Sequence, residues 1–221
     1  MKDIPYLIVK HIYADHNSSA LVRKVIKRLL DSIPPGGTGL NIGAGRTRIS
    51  DKILNMEIEP GDGIDLVGSA ESIPAEDECY DLVICQEVLE HVRNPAKAME
   101  EIKRVLKTGG RAYIQLPFII GYHPCPKEFW RFSREGVEEI CTAAGLEIVE
   151  SGVTVGSATG FYRIAVEFFA LLFSLPIATS YRPFKFLFAL ILYPIKLLDP
   201  ILALSPQRER ISGGFYVVAQ K

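Results

Sequence analysis

Short apolar runs alternate with amphipathic helical segments along most of this chain, and that alternation constrains its fold more than any other feature. The clearest run, YDLVIC at 80–85, is apolar on both faces, as central strands of a parallel sheet are. Seven segments are predicted as strands: 40–42, 52–58, the residues around Val67, 80–85, 111–116, 146–149 and 214–219. The sequence therefore predicts an α/β fold with a doubly wound, mostly parallel sheet, whose ligand site lies at the carboxyl ends of the strands.

Three helices are predicted from apolar residues that recur at three- and four-residue spacing. The first covers 17–31, and the third covers 133–144. The second begins near Pro95, a residue that suits a first helical turn, and is expected to end at Gly109 and Gly110.

The net charge indicates the class of partner, and the cysteines indicate the cellular compartment. Among 221 residues, 25 are basic and 26 acidic, so the net charge of -1 gives no overall field to hold nucleic acid. The four cysteines form no CxxC pair, and residues 1–9 lack the long apolar region of a secretory signal. We expect a cytoplasmic protein with reduced thiols and no nucleic-acid partner.

An aromatic, apolar stretch precedes the last predicted strand. Seven of the eleven phenylalanines lie at 161–188, where apolar runs at 168–178 and 186–195 are interrupted by Pro176 and Pro194. Each run is about half of the roughly 20 residues that a membrane-spanning helix needs. We predict a hydrophobic helical insertion over 157–212 that is buried or lies in an interface, rather than a transmembrane anchor.

A glycine loop directly follows the first predicted strand. Gly43, Ala44 and Gly45 let the backbone approach a bound ligand without a Cβ in the way. After the second strand, Glu57 can accept both hydroxyls of a ribose, with Glu59 as the rival. The interval from loop to acid is shorter than the roughly 20 residues of the dinucleotide fingerprint, and its third glycine is missing, which argues against a nicotinamide or flavin enzyme.

Four segments in order resemble the class I S-adenosylmethionine-dependent methyltransferases, in their small-molecule, type 11 branch. The segments are LNIGAG (40–45), VGSAESIP (67–74), YDLVICQEVLEHVRNP (80–95) and EIKRVLKTGGRAYIQLPF (101–118). The resemblance implies the Rossmann-like, seven-stranded class I methyltransferase fold and S-adenosyl-L-methionine as cofactor.

The resemblance also implies the cofactor-binding residues. The glycine loop would face the methionine part, the acid after the second strand the ribose, and the residues after the third strand the adenine. Residues after the fourth strand would lie near the sulfonium. In this sequence the residues are Gly43, Ala44, Gly45, Glu57, Ile58, Ser69, Ala70, Gln86 and Glu87.

Three positions depart from the family pattern. Asn41 stands where an acid is more common, Thr47 replaces a third glycine, and Ser69 replaces an aspartate that commonly bonds adenine. Few residues separate the first two strands, so the usual first helix must be a turn.

The segment after the fifth strand resembles one that covers the acceptor side in many relatives. Tyr122, His123, Trp130 and Arg131 could orient a polar or anionic acceptor, or they could belong to a structural loop that seals the sheet. A hydroxyl acceptor must lose a proton, for which His123 is the first candidate base and His91 the second. No metal site is predicted, because His123 and Cys125 alone do not make a metal cage.

The predicted function is transfer of a methyl group to a small-molecule or lipid- or sugar-linked acceptor, with O-methylation favoured. We expect one domain over 1–221, with an N-terminal helical segment at 1–37. Basic residues beside the apolar insertion suit an anionic membrane surface, so peripheral membrane contact through 161–204 is one hypothesis. A lid and a homodimer face are the others. The alternative function is a non-catalytic scaffold of the same fold that binds a membrane or a partner.

Overall fold

Seven strands form one sheet in this computed structural model, which describes residues 19–45, 48–175 and 177–221. The strand order is β3-β2-β1-β4-β5-β7-β6. The strands are β1 Gly39–Ile42, β2 Ile53–Glu57, β3 Leu66–Val67, β4 Tyr80–Gln86, β5 Leu106–Pro117, β6 Glu147–Val155 and β7 Gly214–Gln220. The predicted α/β class with a seven-stranded sheet is confirmed.

Parallel pairing dominates the sheet. β1 pairs in parallel with β2 and β4, β2 with β3, and β4 with β5. β7 runs opposite to β5, since Gly109 N donates to Lys221 O at 2.8 Å while Phe118 N, at the other end, donates to Gly213 O at 2.9 Å. The carboxyl ends of β1, β2 and β4 therefore meet at one edge.

Burial of the central strands stabilises this arrangement. All four residues of β1 are buried, and Leu82, Val83, Ile84 and Cys85 of β4 are at most 2% exposed. Burying an aliphatic side chain of this size contributes about 1.5–3 kcal/mol. The centre of the sheet is thus the rigid support for the loops at its edge.

Three helices accompany the sheet, at the predicted places: α1 Ala20–Asp31, α2 Pro95–Val105 and α3 Arg134–Ala143. Asn94 Oδ1 accepts a hydrogen bond from Lys97 N at 3.1 Å and caps α2, and Ser133 Oγ accepts one from Gly136 N at 3.2 Å at the start of α3. The first two residues of the predicted helix at 17–31 lie outside the described residues.

The predicted end of the second helix is wrong. α2 ends at Val105, and Leu106 already pairs with Tyr80 of β4. Gly109 and Gly110 lie inside the irregular start of β5, where Gly109 has a φ of 81° and both glycines bond to the end of β7. Strand pairing therefore determines this boundary. The strand predicted at 146–149 also continues to Val155.

The contacts of the described residues group them into two compact units. A sheet unit contains residues 23–117, 123–152 and 215–221, apart from residues 46–47. A helical unit contains residues 19–22, 118–122 and 153–214, apart from residue 176. The single domain over 1–221, with its segment at 1–37, stays a prediction.

The helical unit is built around the insertion before the last strand. It contains α4 Ser157–Ser174, α5 Tyr181–Ile191 and α6 Asp199–Leu202, with 3-10 turns at Ala178–Ser180 and Tyr193–Leu198. Tyr162 and Val166 of α4 pack with Ala189, whose carbonyl accepts the Tyr162 hydroxyl at 2.9 Å. Asp199 Oδ1 accepts a hydrogen bond from Ala158 N at 2.8 Å and caps α4. The predicted helical insertion is confirmed.

Two further observations concern the apolar runs of that insertion. Pro176, which interrupts the first run in the sequence, lies outside the described residues. Among the helices that the structure describes, none is both long enough and apolar enough to cross a membrane.

Arg104 of α2 ties the loop after β3 to the sheet unit. Its guanidinium donates to the carbonyls of Ile73 and Ala75 at 2.9 and 2.8 Å, and to both oxygens of Glu101 at 2.8 Å. Glu101 in turn accepts a hydrogen bond from Ile73 N at 2.8 Å. The loop that carries Ser69 is therefore held by charge-assisted hydrogen bonds, which are stronger than neutral ones.

Replacing Arg104 tests this anchor. We expect Arg104→Ala to lower the free energy of unfolding by about 2 kcal/mol, because it leaves the Ile73 and Ala75 carbonyls and Glu101 without their donor. Asp77→Asn is the control, since the Asp77 side chain is 73% exposed and surface ion pairs contribute little. Urea unfolding followed by circular dichroism measures both variants, and equal stability of the two would contradict the anchoring role.

Candidate functional site

A cavity of about 260 Å³ opens at the carboxyl edge of the sheet unit. Its walls come from the ends of β1, β2 and β4, the loop after β3, and the segment around residue 125. The lining residues are Ile42, Gly43, Met56, Glu57, Ile58, Gly68, Ser69, Ala70, Glu87, Val88, His91, Val92, Cys125 and Pro126. Six of the nine predicted cofactor-binding residues thus line one cavity: Gly43, Glu57, Ile58, Ser69, Ala70 and Glu87.

The glycine loop is shaped by close approach. Gly43 has a φ of 66°, and a Cβ at that position would lie 2.3 Å from Val88 Cγ2, so a larger residue would be both strained and in collision. Gly43 N and Ala44 N donate to Met56 O at 3.0 and 3.2 Å. These two N–H groups therefore bond β2, and the loop offers a ligand space and backbone surface rather than these donors.

Glu57 stands where the loop meets the second strand. Its Oε1 accepts a hydrogen bond from Gly45 N at 2.5 Å, and its Oε2 accepts one from Ile58 N at 3.3 Å. Each carboxylate oxygen can accept more than one hydrogen bond, so Glu57 can also receive two vicinal hydroxyls. Both Glu57 and Gly45 line a neighbouring, more open cavity of about 450 Å³. The rival Glu59 lines that second cavity and not the first.

The wall after β3 combines an apolar surface with one hydroxyl. Ile58 is 71% exposed and faces the cavity together with Ala70. Ser69 Oγ accepts a hydrogen bond from Glu71 N at 3.1 Å and keeps its own proton to donate. This wall suits a flat, partly polar ring.

The end of β4 turns sharply at Glu87, which has a φ of 55°. Glu87 N donates to Gln115 O at 2.9 Å, and Gln115 Nε2 donates to Glu87 Oε1 at 3.3 Å. Gln86, in contrast, donates to Gln115 Oε1 at 3.1 Å and is absent from the cavity lining. Positive φ at a residue other than glycine is uncommon and is often found at functional sites.

Asn41 is buried inside the sheet. Its amide donates to Asn55 Oδ1 of β2 at 3.3 Å, and Asn55 N bonds Asp65 at 2.7 Å. That backbone hydrogen bond and the Arg48 guanidinium lower the pKa of the Asp65 carboxyl. Asn41 thus takes part in an interstrand network and does not line the cavity. Thr47, the second departure from the family pattern, lies outside the described residues.

Three titratable side chains converge beside the cavity. Glu90 is fully buried, and its Oε1 lies 3.7 Å from His91 Nε2 and 3.6 Å from His123 Nε2. Neither Glu90 oxygen has a hydrogen-bond partner among the described residues. Burial raises the pKa of the Glu90 carboxyl, while His123 opposes that rise. We call Glu90, His91 and His123 the Glu–His cluster.

Sequence reasoning considered the two histidines separately and missed Glu90. The adjacent Glu90 and His91 in the motif QEVLEH were a signal, because a charged residue next to an apolar strand end needs a partner when it is buried. What the sequence could not supply was the approach of His123 from a separate segment.

The other predicted acceptor residues are divided between the units. Trp130 Nε1 donates to the Val92 carbonyl at 3.0 Å, and the Arg131 guanidinium pairs with Glu128. Both residues are therefore engaged in holding their own segment. Tyr122 is grouped with the helical unit and is 75% exposed. Within the sheet unit, the structure brings His123 to His91 but places neither Trp130 nor Arg131 in the cavity lining.

Part of this chain matches a known family of protein domains. A model of the methyltransferase domain matches residues 41–114, which contain the glycine loop, Glu57, Glu87 and Glu90. An uncharacterized protein of Methanocaldococcus jannaschii is 35% identical over 36% of this chain and 44% of its own length. The chain thus spans less than half of the curated relatives that it matches.

Solved structures agree on the fold. The [4+2]-cyclase SpnF is 19% identical, with 90% of this chain and 80% of that chain covered and a TM-score of 0.56. A Haemonchus contortus phosphoethanolamine N-methyltransferase, solved with phosphomonomethylethanolamine and S-adenosylhomocysteine, is 14% identical over the whole of this chain and 58% of its own, with a TM-score of 0.57. A model of the methyltransferase domain thus matches residues 41–114, and the sheet that contains them has the class I S-adenosylmethionine-dependent methyltransferase fold.

Proposed function

We propose that the sheet unit binds S-adenosyl-L-methionine and transfers its methyl group to a small-molecule or lipid-linked acceptor, most simply at a hydroxyl oxygen. One observation carries the proposal: residues from four separate segments that the family uses for this cofactor line a single cavity.

The shape of the cavity fits the cofactor. Gly43 leaves room where a Cβ would collide with Val88, which suits the methionine part. Glu57 presents two oxygens for the ribose hydroxyls, and the wall of Ile58, Ser69 and Ala70 suits adenine. Together with the neighbouring cavity at Glu57, the space falls in the range of about 300–1,000 Å³ that is usual for ligand pockets.

Methyl transfer to a hydroxyl requires alignment of the acceptor oxygen with the methyl group and a group that accepts one proton. The bound cofactor supplies an electrophilic methyl group on a sulfonium. Holding the acceptor oxygen in line with that methyl group can supply much of the acceleration. His91 lines the cavity, and its Nδ1 lies 2.7 Å from the Lys127 carbonyl, which can only accept. In the neutral ring the proton is then on Nδ1, so Nε2 can take a proton from an acceptor hydroxyl.

This geometry supports His91 over His123 as the candidate base. His91 lines the cavity and His123 does not. His123 Nδ1 instead lies 3.3 Å from Glu128 Oε1, and its ring packs edge-on against His91 at 5.3 Å between centroids. We therefore propose His91 as the group nearer the acceptor and His123 as its support.

Substitution of Glu57 tests cofactor binding. Glu57→Ala removes both acceptors for the ribose, and we expect the Kd for S-adenosyl-L-methionine to rise at least tenfold in calorimetry. This corresponds to about 1.4 kcal/mol, the usual size of a hydrogen bond to a charged group. Glu59→Ala is the matched control and should bind as the parent does. No binding by the parent at millimolar cofactor would end the proposal, and equal weakening by both variants would reject the role of Glu57.

An acceptor search tests transfer itself. Purified protein with tritiated-methyl cofactor is incubated with soluble and lipid fractions of the source cell, kept apart. We expect label in one fraction, lost on heating of the protein and reduced by Glu57→Ala. Base-stable label is expected for an ether product. Cofactor binding without label in either fraction would favour the non-catalytic scaffold.

The helical unit has a surface that suggests a second property. Apolar side chains on one face of α4 are exposed, among them Phe168, Leu171 and Leu172 at 57%, 59% and 47%. Further exposed apolar side chains follow on the later helices and turns: Phe186, Leu187, Leu190, Ile191, Leu197, Leu198, Ile201 and Leu204. Soluble proteins rarely expose so many apolar side chains unless they serve as an interaction surface.

The charges of the helical unit favour an anionic lipid surface over a lid or a second subunit. Glu167 is neutralised by Lys185, and Asp199 caps α4, so two acids are engaged internally. Arg182, Arg208 and Arg210 are exposed. We propose that this unit lies in the interface of an anionic membrane, with its basic residues at the headgroups.

Liposome flotation tests the membrane proposal. The combined change Phe168→Ser, Leu171→Ser and Leu172→Ser should lower partition onto anionic vesicles about 100-fold, at roughly 1 kcal/mol for each half-exposed side chain. Val149→Ser is the control, because Val149 is also 50% exposed but lies on β6. Flotation of the triple variant at the parent level would reject the membrane proposal. Equal flotation of the parent on neutral and anionic vesicles would reject the contribution of the basic residues.

A further inference from the structure

We propose that the Glu–His cluster is a binding site for one divalent transition-metal ion, held by Glu90 Oε1, His91 Nε2 and His123 Nε2. The three atoms lie within 4.8 Å of one another. Metal–ligand distances of about 2.0–2.2 Å in a tetrahedral site put neighbouring ligand atoms about 3.4 Å apart, close to the two distances of 3.6 and 3.7 Å from Glu90 Oε1.

The hydrogen bonds of the two rings prepare both for a metal. The Lys127 carbonyl accepts from His91 Nδ1, and Glu128 Oε1 lies 3.3 Å from His123 Nδ1, where a carboxylate favours the proton on that nitrogen. Each neutral ring then carries its lone pair on Nε2, which is the nitrogen that faces Glu90. Orientation of metal-binding histidines by a carbonyl or a carboxylate on the second nitrogen is a general feature of metal sites.

The surroundings of the Glu90 carboxylate are not explained if the cluster is purely structural. Its carboxyl is fully buried, yet no donor among the described residues lies within hydrogen-bond distance of either oxygen. A buried carboxylate costs several kcal/mol unless it is compensated. A cation between the three atoms would compensate the buried carboxylate and accept the lone pairs of both Nε2 atoms.

The ligand set indicates the class of metal. Two imidazole nitrogens and one carboxylate suit Zn²⁺, Mn²⁺, Fe²⁺ and Co²⁺ better than Ca²⁺ or Mg²⁺. The His91 and His123 side chains are 14% and 32% exposed, so coordination positions stay open toward solvent. An open site of this kind binds an exchangeable ligand in addition to the protein atoms.

The role of the ion rests on the proposed function, whereas its binding does not. A hydroxyl of the acceptor that reaches the ion beside His91 would lose its proton more readily. That proton leaves to solvent, the oxygen lone pair forms the bond to the methyl carbon, and the carbon–sulfur bond breaks to give a neutral thioether. His91 then acts as a ligand, and the metal replaces it as the group that favours proton loss.

Metal titration of the whole chain tests the site without any cofactor. Protein freed of metal with a chelator is titrated with Zn²⁺ and with Mn²⁺ in a calorimeter. We expect one ion per chain, at least 100-fold weaker binding for Glu90→Gln and for His123→Gln, and about tenfold weaker binding for Glu128→Gln. Glu139→Gln, on the exposed face of α3, and Cys125→Ser should bind as the parent does.

Two readouts keep the test decisive if a variant fails to fold. Circular dichroism identifies such a variant, and X-ray absorption of the parent loaded with one Zn²⁺ should show scattering from two imidazoles. Absence of saturable binding in the parent, unchanged binding in folded Glu90→Gln and His123→Gln, sulfur scattering, or loss of binding in Cys125→Ser would each overturn the proposal. Cofactor binding without metal binding leaves His91 as a direct base, and metal binding without cofactor binding rejects the proposed function alone.

Discussion

The position of β1 between β2 and β4 is the constraint on which the candidate site depends. Parallel pairing on both sides aligns Ile42 with Met56 and with Cys85, so three chain segments leave the sheet at the same level. The loop after β1 can then bond back to β2 through Met56 O, and its glycine can approach Val88 after β4. Convergence at the edge follows from the pairing, because parallel neighbours in this register end at the same level of the sheet.

This arrangement requires an unusual backbone conformation at a few residues. Gly43 and Glu87 both adopt positive φ, one on each side of the cavity. Glycine tolerates that conformation, but for Glu87 it is unfavourable and must be compensated by the hydrogen bonds of Gln115. The buried Tyr113 hydroxyl, which donates to Gln115 Oε1 at 2.8 Å, fixes that glutamine in turn. The carboxyl edge of the sheet therefore depends on a buried polar network that includes Gln115 and Tyr113.

Much of the fold was predictable because its signals are local. Apolar runs mark the central strands, and Asn94 and Ser133 mark helix starts by their caps. The end of α2 was not predictable, since Gly109 and Gly110 respond to pairing with β7, whose residues are remote in the chain. Local signals decide where elements exist, and long-range pairing decides where they end.

The candidate site shows the same difference between local signals and long-range contacts. The position of Glu57 in the cavity wall was predictable, because it depends only on the end of β2 and the glycine loop beside it. The orientation of the Gln86 side chain was not predictable, because its amide donates to Gln115 on the neighbouring strand β5. The cluster at Glu90 was not predictable, because His123 approaches it from a separate segment of the chain.

Glu90 also connects the chemistry of the site with its stability. A fully buried carboxylate beside two imidazoles is expensive to maintain, and an apolar residue of similar size would stabilise the unoccupied fold more. The surrounding residues nevertheless orient the cluster: Phe129 N donates to the Glu90 carbonyl at 2.8 Å, and the Glu128 carboxylate accepts from His123 N at 3.0 Å. The proposed metal ion would compensate the buried carboxylate that this segment surrounds. Beside the cavity the sheet unit thus brings together Glu90, His91 and His123, whereas Trp130 and Arg131 do not line it.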